Sequence, residues 1–137
     1  MRGFLIVSHG DFAKGMKMSV EMVTGERDNV YAIGLTPEGG PSEMEEKIDS
    51  LIPTFDQYED VFVFTDLYGG SPGNTVFVKL VADPKVSIIS GVNFPMLLTA
   101  ILTPDITVDA LITEAKGGII DLKAALSDDD DEEEDEV

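Results

Sequence analysis

FLIVSHGD, residues 4–11, is the stretch on which the reading of this chain turns. Phe4 to Val7 are apolar at every position, and the run stops abruptly at Ser8-His9-Gly10-Asp11. A short run that is continuous rather than alternating suits a strand covered on both faces, as in a parallel sheet. The period then changes: Phe12, Met16, Val20 and Val23 recur at helical spacing. Strand, tight polar turn and helix together open a βαβ unit.

The same rhythm continues outward. Residues 30–33, 61–65 and 86–90 are three further apolar runs that read as buried strands. Between the first two of these lies a helix with Met44, Ile48, Leu51 and Ile52 on its apolar face. Ser42-Glu43-Met44-Glu45 opens it in the pattern of a capping box, and Pro53 stops it. A third helix follows Ser71-Pro72, with serine as the cap, proline at the first helical position and Val76, Phe77 and Leu80 toward the core. A short fourth helix covers 95–102. After Thr103-Pro104, Val108, Leu111, Ile112 and Ala115 share a face of another helix that Gly117-Gly118 ends. Residues 119–122 read as a short extra strand. Strands alternating with helices in this way predict an α/β fold of three layers, α/β/α, with a mainly parallel sheet.

Composition narrows the classes. The 137 residues suit one domain, and the absence of cysteine excludes disulfides, thiolate catalysis and cysteine metal sites. The opening apolar run is too short for a signal peptide or a membrane span, so a cytoplasmic, non-exported chain is expected. Half of the net charge of −18 lies in DDDDEEEDE, residues 128–136, which hold no base and no apolar side chain. Residues 127–137 are therefore expected to form a disordered acidic tail, either solubilising or offered to a basic partner. Nine scattered Lys and Arg residues argue against binding nucleic acid, which needs clustered cations.

In an open parallel sheet, ligands gather at the carboxyl ends of the strands. Three polar segments fall there: Ser8-His9-Gly10-Asp11, the run Thr65 to Pro72 (TDLYGGSP), and Gly91 to Met96 (GVNFPM). His9 is the one histidine, and imidazole serves as nucleophile or base near neutral pH. Taken alone, an isolated histidine is more often structural than catalytic; its place at a strand end beside Gly10 favours chemistry. A carboxylate on one ring nitrogen would free the other to attack, and Asp66 is the candidate, with an ordinary turn aspartate as the plainer reading. Asp11 is the rival but lies past Gly10, toward solvent. Gly69-Gly70-Ser71-Pro72 feeds a helix N-terminus, whose unpaired amides suit an anion such as phosphate; a merely capped helix is the plainer alternative. No metal cluster is offered, and the methionines fall on helices as core residues.

These three segments, in this order and spacing, resemble the IIA component of the mannose-family sugar phosphotransferase system, over residues 1 to about 126. The resemblance implies a phosphotransferase without cofactor or metal. The phosphocarrier HPr would donate a phosphoryl group to the ε nitrogen of His9, and a IIB component would accept it ahead of the membrane components IIC and IID. Asp66 would bond the δ nitrogen, and Gly70 and Ser71 would face the phosphate. The resemblance also implies a homodimer exchanging an antiparallel last strand, here residues 119–122. Phe12, Tyr68 and Phe94 are candidates for apolar surface around the rim. The acidic tail is not part of the family pattern. A phosphocarrier subunit of dihydroxyacetone kinase is a related alternative, and a non-catalytic anion-binding regulatory module is an unrelated one. A histidine phosphatase is disfavoured, because Ser8 stands where arginine is needed and there is no second histidine.

Overall fold

A computed structural model describes residues 1–128 of the chain. Its four strands are β1 (Arg2–His9), β2 (Val30–Leu35), β3 (Asp60–Thr65) and β4 (Val86–Ser90), all parallel, in the order β2-β1-β3-β4. The helices are α1 (Phe12–Thr24), α2 (Pro41–Leu51), α3 (Ser71–Leu80), α4 (Phe94–Leu102), α5 (Val108–Gly117) and α6 (Leu122–Asp128), with a 3-10 turn at Ile52–Gln57.

The alternation of side chains along each strand builds two cores. Phe4 and Ile6 of β1 and Phe62 and Phe64 of β3 meet α1, α4 and α5. Leu5 and Val7, with Val61 and Val63, meet α2 and α3. Both faces of β1 and β3 are thus closed, which is why their sequences are apolar at every position. The connection through α1 runs from β1 to one side, and those through α2 and α3 run to the other. β1 and β3 therefore flank the point where strand order reverses, the place where such sheets bind ligands.

Several expectations shift. The buried residues of α1 are Ala13, Met16 and Val20, whereas Phe12 and Val23 are exposed. The helix sits close to the sheet on its small Ala13, which turns the large Phe12 out to the rim. Phe77 is likewise exposed, and α3 buries Pro72, Gly73, Val76 and Leu80. Neither expected serine caps its helix. Gly40 and Gly70 are the N-caps of α2 and α3, since Pro41 and Ser71 already lie within the first helical turn. The expected strand at 119–122 is not formed: 119–121 are irregular and α6 begins at Leu122. A strand exists only by pairing with an edge, and Ile119, Ile120 and Leu122 are all exposed in the single chain. The expected acidic tail lies outside the described residues but for its start, since α6 runs to Asp128.

Candidate functional site

The parallel register that aligns Val7 with Thr65 brings the ends of β1 and β3 side by side, and with them His9 and Asp66. One carboxylate oxygen, Asp66 Oδ2, takes the His9 main-chain N–H at 2.9 Å and faces His9 Nδ1 at 2.7 Å. The other, Oδ1, accepts the N–H of Leu67 at 2.9 Å. Burial alone would raise the Asp66 carboxyl, but the hydrogen bonds from His9 and Leu67 outweigh it and hold the group below its ordinary value. Asp66 is thus ionised at neutral pH and can only accept. The proton between the two residues belongs to Nδ1, and the lone pair of Nε2 is left free. The Asp66 side chain is 12% exposed and that of His9 51%, so the acceptor is largely covered while part of the ring meets solvent.

The turn that carries His9 is braced from inside. Ser8 is fully buried on the α1 side of β1. Its Oγ accepts the Ala13 N–H at 2.8 Å and donates to the His9 carbonyl at 3.0 Å. It serves α1 as a cap supplied from the preceding strand, because Asp11, the N-cap by position, makes no side-chain cap bond. Gly10 closes the turn with φ 54°, a left-handed conformation that favours glycine.

The glycine turn after β3 folds back on the imidazole. A Cβ on Gly70 would lie 2.9 Å from His9 Cε1, the ring atom between the two nitrogens. Only a glycine lets the start of α3 approach the ring edge so closely. The helical ladder first closes with the Asn74 N–H on the Gly70 carbonyl at 2.9 Å, so the amides of Gly70, Ser71 and Gly73 precede it, and Pro72 has none. Gly70 thus stands at the ring edge of His9, and the start of α3, with its first amides and the positive end of the helix dipole, follows it directly.

The structure therefore brings together His9, Asp66 and Gly70, with Ser71 beginning the adjoining helix. Asp11 stays apart and exposed. The Gly91 to Met96 segment spends its polar groups on support: the Asn93 carboxamide caps Met96 N–H at 2.9 Å and donates to the Ala115 carbonyl at 3.1 Å. Ser8 was not among the expected site residues; a hydroxyl as the penultimate residue of a strand, five before a helical amide, is the signal that marks it. Among the described residues no three His, Asp or Glu side chains converge on a metal-sized site.

Comparison with known proteins agrees with this geometry. The family model described as "PTS system fructose IIA component" matches residues 3–116. The chain is 30% identical over 98 residues to the PTS system fructose-specific EIIA component of Bacillus subtilis, covering 72% of this chain and 67% of that one. It is 31% identical over 101 residues to the mannose-specific EIIAB component of Escherichia coli, covering 74% of this chain but only 31% of that longer protein. The crystal structure of the PTS IIA protein associated with the fucose utilization operon of Streptococcus pneumoniae superposes with a TM-score of 0.85 at 34% identity, covering 91% of this chain and 96% of that one. A three-layer parallel fold, a strand-end histidine on a carboxylate and these likenesses agree: the chain belongs to the mannose-type IIA family, the phosphocarrier components of sugar phosphotransferase systems.

Proposed function

We propose that His9 Nε2 is the phosphoryl acceptor, that phospho-HPr is the donor and that a IIB component takes the group onward. The observation that carries this is the contact of 2.7 Å between His9 Nδ1 and Asp66 Oδ2. It keeps the proton on the δ nitrogen and the ε lone pair available. In the step, the Nε2–P bond forms as the bond from phosphorus to the donor breaks. No proton leaves His9, since Nδ1 keeps its hydrogen toward Asp66. The imidazole gains positive character as it bonds phosphorus, and the ionised Asp66 stabilises that charge. The amides of Gly70 and Ser71 are the expected partners of the phosphoryl oxygens. Transfer onward reverses these changes, so one difficult transfer becomes two easier ones that ask mainly for positioning.

This reading locates the step in the cytoplasm, ahead of the membrane components IIC and IID. Donor and acceptor must each reach the same nitrogen, and exposed Phe12, Leu67 and Tyr68 around His9 supply apolar contact surface for both. A homodimer with an exchanged last strand is part of the same proposal. It is supported by the open edge of β4 and by Ile119, Ile120 and Leu122, which follow α5 exposed and unpaired in the single chain.

The test is intact-protein mass after incubation with phosphoenolpyruvate, Enzyme I and HPr. One added, acid-labile phosphoryl group that is absent from His9→Ala is expected. Phosphorylation of His9→Ala would refute the site, and no transfer to the wild type in an active relay would refute the donor.

A further inference from the structure

Two apolar residues follow Asp66 on the rim, and the structure treats them differently. Tyr68 is 90% exposed, whereas Leu67 is 49% exposed and is tied into the site. The Leu67 N–H donates to Asp66 Oδ1 at 2.9 Å, and its carbonyl faces the hydroxyl of buried Thr65 at 3.5 Å. Its side chain turns toward the imidazole. The point that a Gly70 Cβ would take lies 2.9 Å from His9 Cε1 and 3.2 and 3.5 Å from Leu67 Cδ1 and Cγ. Ring edge and leucine thus converge on the bare Cα of Gly70. This matters for the nucleophile, because the bond to Asp66 holds the imidazole at one atom, Nδ1. The torsion that turns a histidine ring is broad. A ring held at Nδ1 alone therefore rocks, and the Nε2 lone pair swings with it. Cε1 is the atom between the two nitrogens, and packing there damps that motion.

We propose that Leu67 is a positioning residue for phosphoryl transfer, an inference that rests on the carrier reading of His9. Its amide orients the carboxylate that orients the ring. Its side chain, packed with Gly70 at Cε1, keeps the Nε2 lone pair on the line of the entering phosphorus. Positioning is most of what this transfer asks of the protein. An apolar side chain that only met partners would set how tightly they bind; one that holds the ring sets the rate once they are bound. Substitution separates the two parts of Leu67. Leu67→Ala keeps the main-chain bond to Asp66 and removes the packing, while Leu67→Met keeps an apolar side chain of similar volume. Because half of the residue is exposed, neither change opens a cavity in the core.

The experiment is rapid-quench transfer from phospho-HPr to the full chain over a range of donor concentrations. The nuclear Overhauser effect between the Leu67 methyls and the His9 Cε1 proton is read on the same proteins. The wild type should show the Overhauser contact. In Leu67→Ala the maximal rate should fall about tenfold, whatever happens to the half-saturating concentration. In Leu67→Met it should stay within about twofold of the wild type. A Leu67→Ala chain that loses only affinity would show a contact residue and overturn the proposal. So would a wild type without the Overhauser contact, or an equal loss of rate in Leu67→Met. A wild type that accepts no phosphoryl group in an active relay would refute the carrier reading and this inference with it. A competent wild type matched in maximal rate by Leu67→Ala would refute this inference alone.

Discussion

The two ends of the same four strands use their polar residues in opposite ways. At the amino end, Arg2 is held on every side. Its guanidinium grips Asp60 at 2.9 and 3.0 Å, donates to the Ile106 carbonyl at 2.9 Å and lies 3.9 Å from the centre of the Phe62 ring. Nearby, Lys85 Nζ donates to the carbonyls of Phe55 and Tyr58. Burial and the Tyr31 hydroxyl also push the Tyr58 phenol far above its ordinary value, so it stays neutral. At the carboxyl end, Asp66 spends both oxygens and leaves an imidazole nitrogen and the first amides of α3 without work to do in the resting chain. Polar groups that satisfy one another stabilise; polar groups arranged so that one is left over can react.

Breaking the reactive end should show the largest effect. His9→Ala should remove phosphoryl acceptance entirely while changing unfolding free energy by less than about 1 kcal/mol, because the ring is half exposed. Intact mass and urea denaturation on one preparation give both numbers. Asp66→Asn comes next. Without an obligate acceptor the ring loses its fixed tautomer, and rapid-quench transfer from phospho-HPr should slow by about 10²-fold without ceasing. The amino end should behave in the opposite sense. Arg2→Ala leaves Asp60 without its partner, and about 1–3 kcal/mol of stability should be lost with phosphoryl transfer unchanged in the folded fraction.

Ser8 lies between the two regimes, since one buried hydroxyl braces both α1 and the His9 carbonyl. Ser8→Ala strands the Ala13 N–H and should cost about 1–3 kcal/mol. Ser8→Thr, which keeps the hydroxyl, should recover most of it, as thermal unfolding of the two variants would show. The smallest effect is the pH dependence of stability. The Asp66 carboxyl is held below its ordinary value in the folded chain, so in acid the unfolded state binds the proton first. The stabilisation from Asp66 is complete above the ordinary carboxylate range and is lost as pH falls through the lower folded value. The stability gap between wild type and Asp66→Asn should therefore shrink on acidification; a constant gap would show that the carboxylate is not held by these bonds.

How much of this was legible in the sequence follows the same division. The strands could be read because burial on two faces writes itself as an unbroken apolar run, and β4 occupies the very residues expected, 86–90. Large-residue periodicity misjudged Phe12 because it cannot see that Ala13, a small side chain, carries the closest approach of α1 to the sheet. Serine caps were expected where glycines serve, since a proline or serine already inside the first turn moves the boundary back by one or two residues. His9 and Asp66 could be nominated from strand ends, but their contact depends on β1 and β3 being neighbours, which is a property of strand order and not of either motif. The segment 119–122 has strand-like residues but pairs with neither edge of the sheet in the single chain, and no local pattern records which edge a strand will join.

The central claim is that the ε nitrogen of His9 is the one left over. Nitrogen-15 and phosphorus-31 spectra of the phosphorylated full chain, labelled in its single histidine, test it most directly. The account predicts phosphorus coupled to Nε2, with Nδ1 still protonated toward Asp66. Phosphorus on Nδ1, or a resting ring that carries its proton on Nε2, would contradict it.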